Sequence, residues 1–163
     1  MACHLGPLHP GRSPFYTLPG GEVNFAQCYV TEGFPTQLND GADLKVYSDF
    51  LQSPPGLVVS NGTVLRYVDM PPGSLCPMHV TTSLDYGIVL EGEIDLVLDS
   101  GEEQHMSRGD ICIQRATMHA WRNRSDTEWA RMLYVLQPTQ PVVHKGKEVK
   151  ENLGDMEGVR SST

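Results

Sequence analysis

Hydrophobic and polar positions alternate through much of the second half of the chain. In "EIDLVLD" (93–99), Ile94, Leu96 and Leu98 alternate with charged or exposed-type residues. A period of two is what a half-buried strand produces. "GDICIQ" (109–114) alternates in the same way, and "WARMLYVLQP" (129–138) gives a further strand that stops at Pro138. Upstream, "GLVVSNGTVLRYVDMPPG" (56–73) places two β-rich runs on either side of Asn61-Gly62, a hairpin signal. In "YGIVLEGEIDLVLDSGEEQHM" (86–106) the turns fall at Gly92 and Ser100-Gly101. Short strands at this spacing predict an all-β sandwich or barrel.

The flanks are less regular. "NFAQCYVTEG" reads as a strand, and "DLKVYSDFLQS" fits a short helix or a strand equally well. The pattern divides the chain into an N-terminal arm (1–55), a β-barrel (56–137) and a polar C-terminal tail or short helix (138–163). The arm is expected to pack on the barrel or on a partner subunit, because a bare sheet edge invites pairing.

Length and charge narrow the picture. The 163 residues suffice for one domain with a real core. The net charge of -8 excludes a nucleic acid or an anionic membrane as the expected partner. No apolar stretch approaches the ~18 residues of a transmembrane helix. The start, "MACHLGPLHPGRSPF", has Gly and Pro where a signal peptide needs an apolar block, so a cytoplasmic location is expected. Cys3, Cys28, Cys76 and Cys112 show no C-x-x-C spacing and are expected to be free thiols, Cys112 as a small core residue.

The candidate chemistry lies in "HVTTSLD". His79, Thr81, Ser83 and Asp85 are each two residues apart, so an extended strand points them to one side. His119, at the start of a neighbouring strand, can meet them. The stretch lends itself to a metal site, a metal-free acid/base site, or a polar barrel mouth that binds without turnover. Trp121 shares parity with His119 and lines the pocket or fills the core. Arg66 and Tyr67 are adjacent on a strand, so one of them faces inward to the substrate. Arg115 is a candidate for a substrate carboxylate or carbonyl. Tyr86 points away from Asp85 and reads as packing, and Met70, Met78 and Met118 are candidates for a soft pocket wall. His4, His9, His105 and His144, with Glu91 and Glu93, read as surface.

Two segments carry a family resemblance. "GSLCPMHVTTSLDYGIVLEG" (73–92) keeps the spacing of the first cupin motif, with Gly73, His79 and Gly92 in register. Thr81 falls where cupins have a second histidine, and Asp85 where they have a glutamate. "GDICIQRATMHAWRN" (109–123) keeps the spacing of the second motif through Gly109, His119 and Asn123, with Arg115 and Thr117 at its proline and glycine positions. The chain thus resembles a small single-domain cupin, which implies a jelly-roll, double-stranded β-helix barrel. By the same resemblance His79, Asp85 and His119 are the residues left to hold one divalent metal: iron, zinc or manganese. Metal-free operation of the histidines, with Asp85 orienting one of them and Thr81 donating to a substrate oxygen, is the competing expectation.

"SLDYGIVLEGEIDLVLDSGE" is similar to small cupins of fungal secondary-metabolite pathways. The resemblance implies a tailoring enzyme acting on a polyketide-like or aromatic intermediate. The expected reaction is proton transfer: dehydration, isomerisation, cyclisation or decarboxylation. An iron-dependent dioxygenase or oxidoreductase and a non-catalytic binding cupin are the alternatives. The chain has no phosphate loop, dinucleotide fingerprint or nucleophile triad. A small hydrophobic, oxygenated substrate is expected, and a homodimer, the arm crossing to a partner.

Overall fold

The computed structural model describes residues 15–17 and 23–162. Along the chain run β1 (Phe15–Thr17), β2 (Asn24–Glu32), α1 (Ala42–Gln52), β3 (Gly62–Met70), β4 (Ser83–Glu91), β5 (Ile94–Leu98) and β6 (Glu103–Met106). They are followed by β7 (Ile111–Arg115), β8 (His119–Asn123), β9 (Ala130–Pro138), β10 (Val143–His144) and β11 (Lys147–Glu148). One sheet has the order β1-β2-β3-β9-β4-β7 and a second has β6-β5-β8, all antiparallel. The architecture is the expected all-β double-sheet fold.

Alternation decides which side chains meet between the sheets. The register of the large sheet sets them in rows across its inner face. One row is Val64, Leu136, Asp85 and Gln114; the next is Gln27, Arg66, Tyr134, Gly87 and Cys112; a third is Phe25, Val68, Met132 and Val89. Val64, Val89, Met132 and Ile94 are fully buried and form the core with Trp121 of the small sheet. Gly87 has a packing reason: a Cβ there would stand 3.0 Å from the Tyr134 ring. Gly92 needs both its positive φ of 74° and its missing side chain, since a Cβ would lie 2.9 Å from that of Ala130.

Three stretches differ from the sequence pattern. β2 lies inside the segment read as an arm, yet it pairs with β3 along most of its length and is buried. "DLKVYSDFLQS" is helical; Tyr47 is its buried residue, and its hydroxyl donates to the Gln27 carbonyl at 3.2 Å. "GLVVS" is not a ladder strand, although Leu57, Val58 and Val59 are buried. The C-terminal segment covers that run instead, with the Ser162 hydroxyl accepting from the Val58 amide at 3.1 Å. Among the described residues after Pro141 no helix forms. The chain makes the small β10–β11 hairpin and then straps back over the barrel, bridging Val80 and Asn152. Val89, Asp110 and Gly109 close the turn before β7 through backbone bonds of 2.8–3.1 Å.

One ion cluster fastens the small sheet. Asp95 of β5 is fully buried and accepts from His105 Nδ1 at 2.9 Å, Arg122 Nη2 at 2.9 Å and Arg124 Nε at 2.8 Å. Burial opposes its ionisation, but these donors outweigh burial and hold the carboxyl below its usual range. His105 is at the surface, as expected, and bonds Asp95 from there.

The Asp95 contribution is present in full above the unfolded carboxylate pKa of about 4 and is lost as pH falls through its lower folded value. Asp95→Ala removes the buried anion that Arg122 and Arg124 share and leaves them only the exposed Glu103. It should cost roughly 3 kcal/mol at pH 7 and lower the melting temperature by about 6–12 °C. Thermal unfolding at pH 7 checks this, and a loss below 2 °C would show that the cluster is merely decorative.

Candidate functional site

The residues between Gly73 and Thr82 run beside β8 as an irregular extra strand of the small sheet. The Asn123 amide donates to Ser74, Cys76 donates to Trp121 at 3.0 Å, and His79 and His119 exchange backbone bonds of 2.8 and 2.9 Å. Asn123, the last residue of the second motif, is 1% exposed. Its Nδ2 donates to the carbonyls of Met70, Pro71 and Glu128, and its Oδ1 accepts from the Ser125 amide. It fixes the two loops that flank this pairing.

Because the backbones are bridged, the two imidazoles face each other, with ring centroids 4.3 Å apart and planes tilted by 47°. Each Nδ1 meets a carbonyl oxygen, Pro77 at 2.9 Å for His79 and Thr117 at 2.8 Å for His119. A carbonyl can only accept, so each Nδ1 carries the proton and each Nε2 keeps a lone pair. Burial pushes the pKa of both rings down. His119 falls to about 4, with the neighbouring His79 adding to the burial effect and the Thr117 carbonyl opposing it. Both rings are neutral bases at pH 7.

Asp85 stands on β4, 5% exposed, with Thr81 and Ser83 beside it. The Ser83 hydroxyl donates to Thr81 Oγ1 at 2.7 Å, and the Thr81 hydroxyl donates to Asp85 Oδ2 at 3.3 Å. Asp85 Oδ1 has no hydrogen-bond partner among the described residues. Burial raises this carboxyl to about 6, against the lowering effect of the Ser83 and Thr81 hydroxyls and of Arg66.

His79, Thr81, Asp85, His119, Arg66 and Trp121 all line one cavity of about 430 Å³. The remaining wall is largely apolar, with Phe25, Leu57, Val68, Met70, Tyr134 and Leu136. Arg66 is the inward member of its pair and donates to the Gly56 carbonyl at 2.9 Å. Tyr67 is turned to the other face, 5.5 Å under the Arg131 guanidinium, so it does not reach the cavity. Arg115 is exposed at the end of β7 and also stays outside. Trp121 stands edge-on to His119 at 5.5 Å and to Tyr134 at 5.8 Å. Of the three methionines proposed for the wall, Met70 lines the cavity and Met78 and Met118 do not. Cys3, His4 and His9 lie outside the described residues.

Sequence reasoning missed Tyr134, Cys76 and the C-terminal residues Asp155, Met156 and Glu157, all of which line the cavity. Tyr134 was within reach, since it alternates with Met132 and Leu136 on an obvious strand. Its hydroxyl donates to Met132 Sδ at 2.9 Å, a weak acceptor. Cys76 is held as a thiol, pushed to about 11 by burial, and its sulfur accepts from the Trp121 amide at 3.0 Å. Gly154 comes close enough to Met78 that a Cβ would be 2.7 Å from the Met78 carbonyl. No pattern in the sequence announces that the tail returns to the mouth.

The donor set does not fit the metal that the family motif implies. Two imidazole nitrogens are in place, but Thr81 occupies the third position and spends its hydroxyl on Asp85. Among the described residues no group of three or more His, Cys, Asp or Glu side chains is arranged to hold a metal ion. The same described residues include no helix long and apolar enough to cross a membrane.

The comparisons with known proteins agree with this frame. The Cupin domain family model matches residues 66–136. Phomopsin biosynthesis cluster protein D of Diaporthe leptostromiformis is 49% identical over 128 residues, 78% of this chain and 68% of that protein. Oryzines biosynthesis cluster protein J of Aspergillus oryzae is 42% identical over 134 residues, covering 82% and 75%. The cupin-domain-containing oxidoreductase fogC of Aspergillus ruber is 44% identical over 130 residues, covering 78% and 63%. With the two spaced motifs folded around one cavity and relatives of this likeness, the chain belongs to the cupin family, alongside cupin proteins of fungal biosynthesis clusters.

Proposed function

We propose that the protein is a tailoring enzyme of small-molecule biosynthesis that moves a proton within an oxygenated, largely apolar substrate. The observation that carries this reading is the histidine pair. Both Nδ1 atoms are tied to backbone carbonyls, and both Nε2 lone pairs are left for the cavity. A neutral imidazole in that tautomer is a general base, and its conjugate acid returns the proton elsewhere on the same molecule. That cycle serves dehydration, isomerisation, cyclisation and decarboxylation of β-keto or hydroxy-carbonyl compounds. The Thr81 hydroxyl is committed to Asp85 rather than to the substrate, Asp85 accepts from a substrate hydroxyl, and the apolar wall excludes water. The reading includes no resident metal, and the donor geometry above supports that part of it. Relatives from biosynthesis clusters supply the setting.

A second reading has its own support, because several relatives are named cupin-domain-containing oxidoreductases. It requires an oxidant and a redox centre. Metal analysis of the freshly purified protein, with oxygen consumption during turnover, separates the two. Stoichiometric iron that is lost in His79→Ala, together with oxygen uptake, would sink the proton-transfer reading.

For proton transfer, His79→Ala and His119→Ala should each lower turnover by about 10²–10⁴-fold, while chelator leaves the wild type unchanged. Solvent-deuterium incorporation into hydroxy-ketone probes, followed by proton NMR, gives the readout. The wild-type rate should fall as pH drops through about 6, where Asp85 takes a proton, and in Asp85→Asn that limb should move towards about 4, where His119 titrates. An unchanged acid limb in the variant would remove Asp85 from the reaction.

Asp85 also makes a stability prediction. Its folded pKa is raised from 3.8 to about 6, so between these values the folded state holds more protons than the unfolded one. Stability therefore falls as pH rises through that window, and the cost above pH 6 is on the order of 3 kcal/mol at most. Asp85→Asn should melt about 3–9 °C higher than wild type at pH 7.5, and about the same at pH 3.5. Calorimetry at the two pH values checks the difference; a lower melting temperature at pH 7.5 would contradict it.

A further inference from the structure

The row that contains Asp85 holds a second unsatisfied polar atom. Gln114 of β7 is the direct cross-strand partner of Asp85. It is 4% exposed, and its Nε2 has no hydrogen-bond partner among the described residues. Burial alternates along β7, and Gln114 is on the inner side while Ile113 and Arg115 point out. Directly opposed residues in an antiparallel pair have Cβ atoms roughly 5 Å apart. A residue with an unmet buried donor is thus the cross-strand neighbour of one with an unmet buried acceptor, Asp85 Oδ1, and the two atoms are not bonded to each other. Leaving both unmade is costly, and native proteins fill such gaps with a bridging group.

We infer that Asp85 Oδ1 and Gln114 Nε2 form a two-point subsite for a hydroxyl group, alcohol, enol or phenol, behind the cavity wall at Asp85. A hydroxyl is the small group that meets both demands at one atom. Its O–H donates to the Asp85 carboxylate, and its oxygen accepts from the Gln114 amide. A bare carbonyl would leave Asp85 unmet, and a methyl group would leave both. Asp85 lines the cavity and Gln114 stands beside it one strand further out, so the bound hydroxyl is buried and the rest of the molecule extends towards the histidines. The substrate class sharpens to carbonyl compounds that also carry a free hydroxyl. This rests on the cavity being the substrate site, but not on what the histidines do there.

Phenol and toluene, equal in shape and differing in the hydroxyl, are suitable probes for the full-length protein. Nitrogen-15 NMR follows the side-chain amide of Gln114, assigned by its loss in Gln114→Met, or by through-bond correlation in wild type if that variant does not fold. Phenol should shift the Gln114 amide pair and bind about thirtyfold more tightly than toluene, the difference that two hydrogen bonds make. In Gln114→Met the preference should fall to about fivefold, the remaining bond to Asp85, while toluene binding stays. Phenol binding that leaves the Gln114 amide unmoved, equal affinity for the two probes, or no binding of either at millimolar concentration overturns the subsite. None of these outcomes touches the proton-transfer reading, which is judged by deuterium incorporation.

Discussion

The cavity depends on the pair of backbone hydrogen bonds that His79 and His119 exchange, at 2.8 and 2.9 Å. They join an irregular segment to a regular strand at the place where the two sheets meet. Both residues come from strand-like stretches whose next inward neighbours are fixed by parity. Once their backbones are locked, the imidazoles have to face each other, and Thr81, Asp85 and Trp121 follow from their spacing. The carbonyls two residues upstream, Pro77 and Thr117, complete the arrangement by choosing the tautomer. The same local motif, a histidine bonded to the carbonyl two residues before it, occurs twice and gives two imidazoles of the same tautomer. Asn123 protects the bridge from the other end by holding three loop carbonyls at once.

Two aspartates show how environment sets the role of a buried carboxyl. Asp95 and Asp85 are both buried on inner or sheltered strand positions. Asp95 is ringed by a histidine and two arginines, which use its charge to bind three strands. Asp85 has hydroxyls on one oxygen and nothing on the other, so burial dominates and its proton affinity rises. The first arrangement stabilises the fold; the second weakens it and leaves an unfilled acceptor beside the bases. The proposed function takes the carboxyl that burial raises, Asp85, for the reacting one, and the ion-paired Asp95 for a structural one.

Much of this was legible in the sequence where side-chain period and turn residues agree. β4 to β9 follow from alternation with Gly92, Ser100-Gly101 and Gly109 between them, and parity brought His79, Thr81, Asp85 and His119 together. Parity alone left Arg66 and Tyr67 undecided, because neighbours on a strand differ only in face. What stayed hidden depends on long-range docking. "GLVVS" has strand composition but is buried under the C-terminal strap, so tertiary contact overrides its propensity. Gln114 carries no signal of its own in "GDICIQ", since its meaning lies in the residue opposite, and register between β4 and β7 is not written in either strand alone. Residues 155–157 reach the mouth through a path with no periodicity.

The burial of the bases also constrains the chemistry in the proposed reaction. A histidine whose conjugate acid has a pKa of about 4 is a weak base, and protonating it inside an apolar cavity creates an unsolvated cation. The reaction is feasible only if the charge it generates is balanced as it forms. Asp85 supplies that balance: at pH 7 it is ionised, and an imidazolium within the same cavity would gain an anion that neutral imidazole does not have. The pair is thus stabilised in the proton-transferred state more than in the resting state, which is the condition for lowering a barrier rather than merely binding. A hydroxyl held by Asp85 and Gln114 would place the substrate across this axis, with its carbon acid against the histidines. The loss of the second motif histidine to Thr81 fits the same logic. A hydroxyl there donates to Asp85 and leaves it ionised, whereas a third imidazole would compete for the proton that the cycle must return.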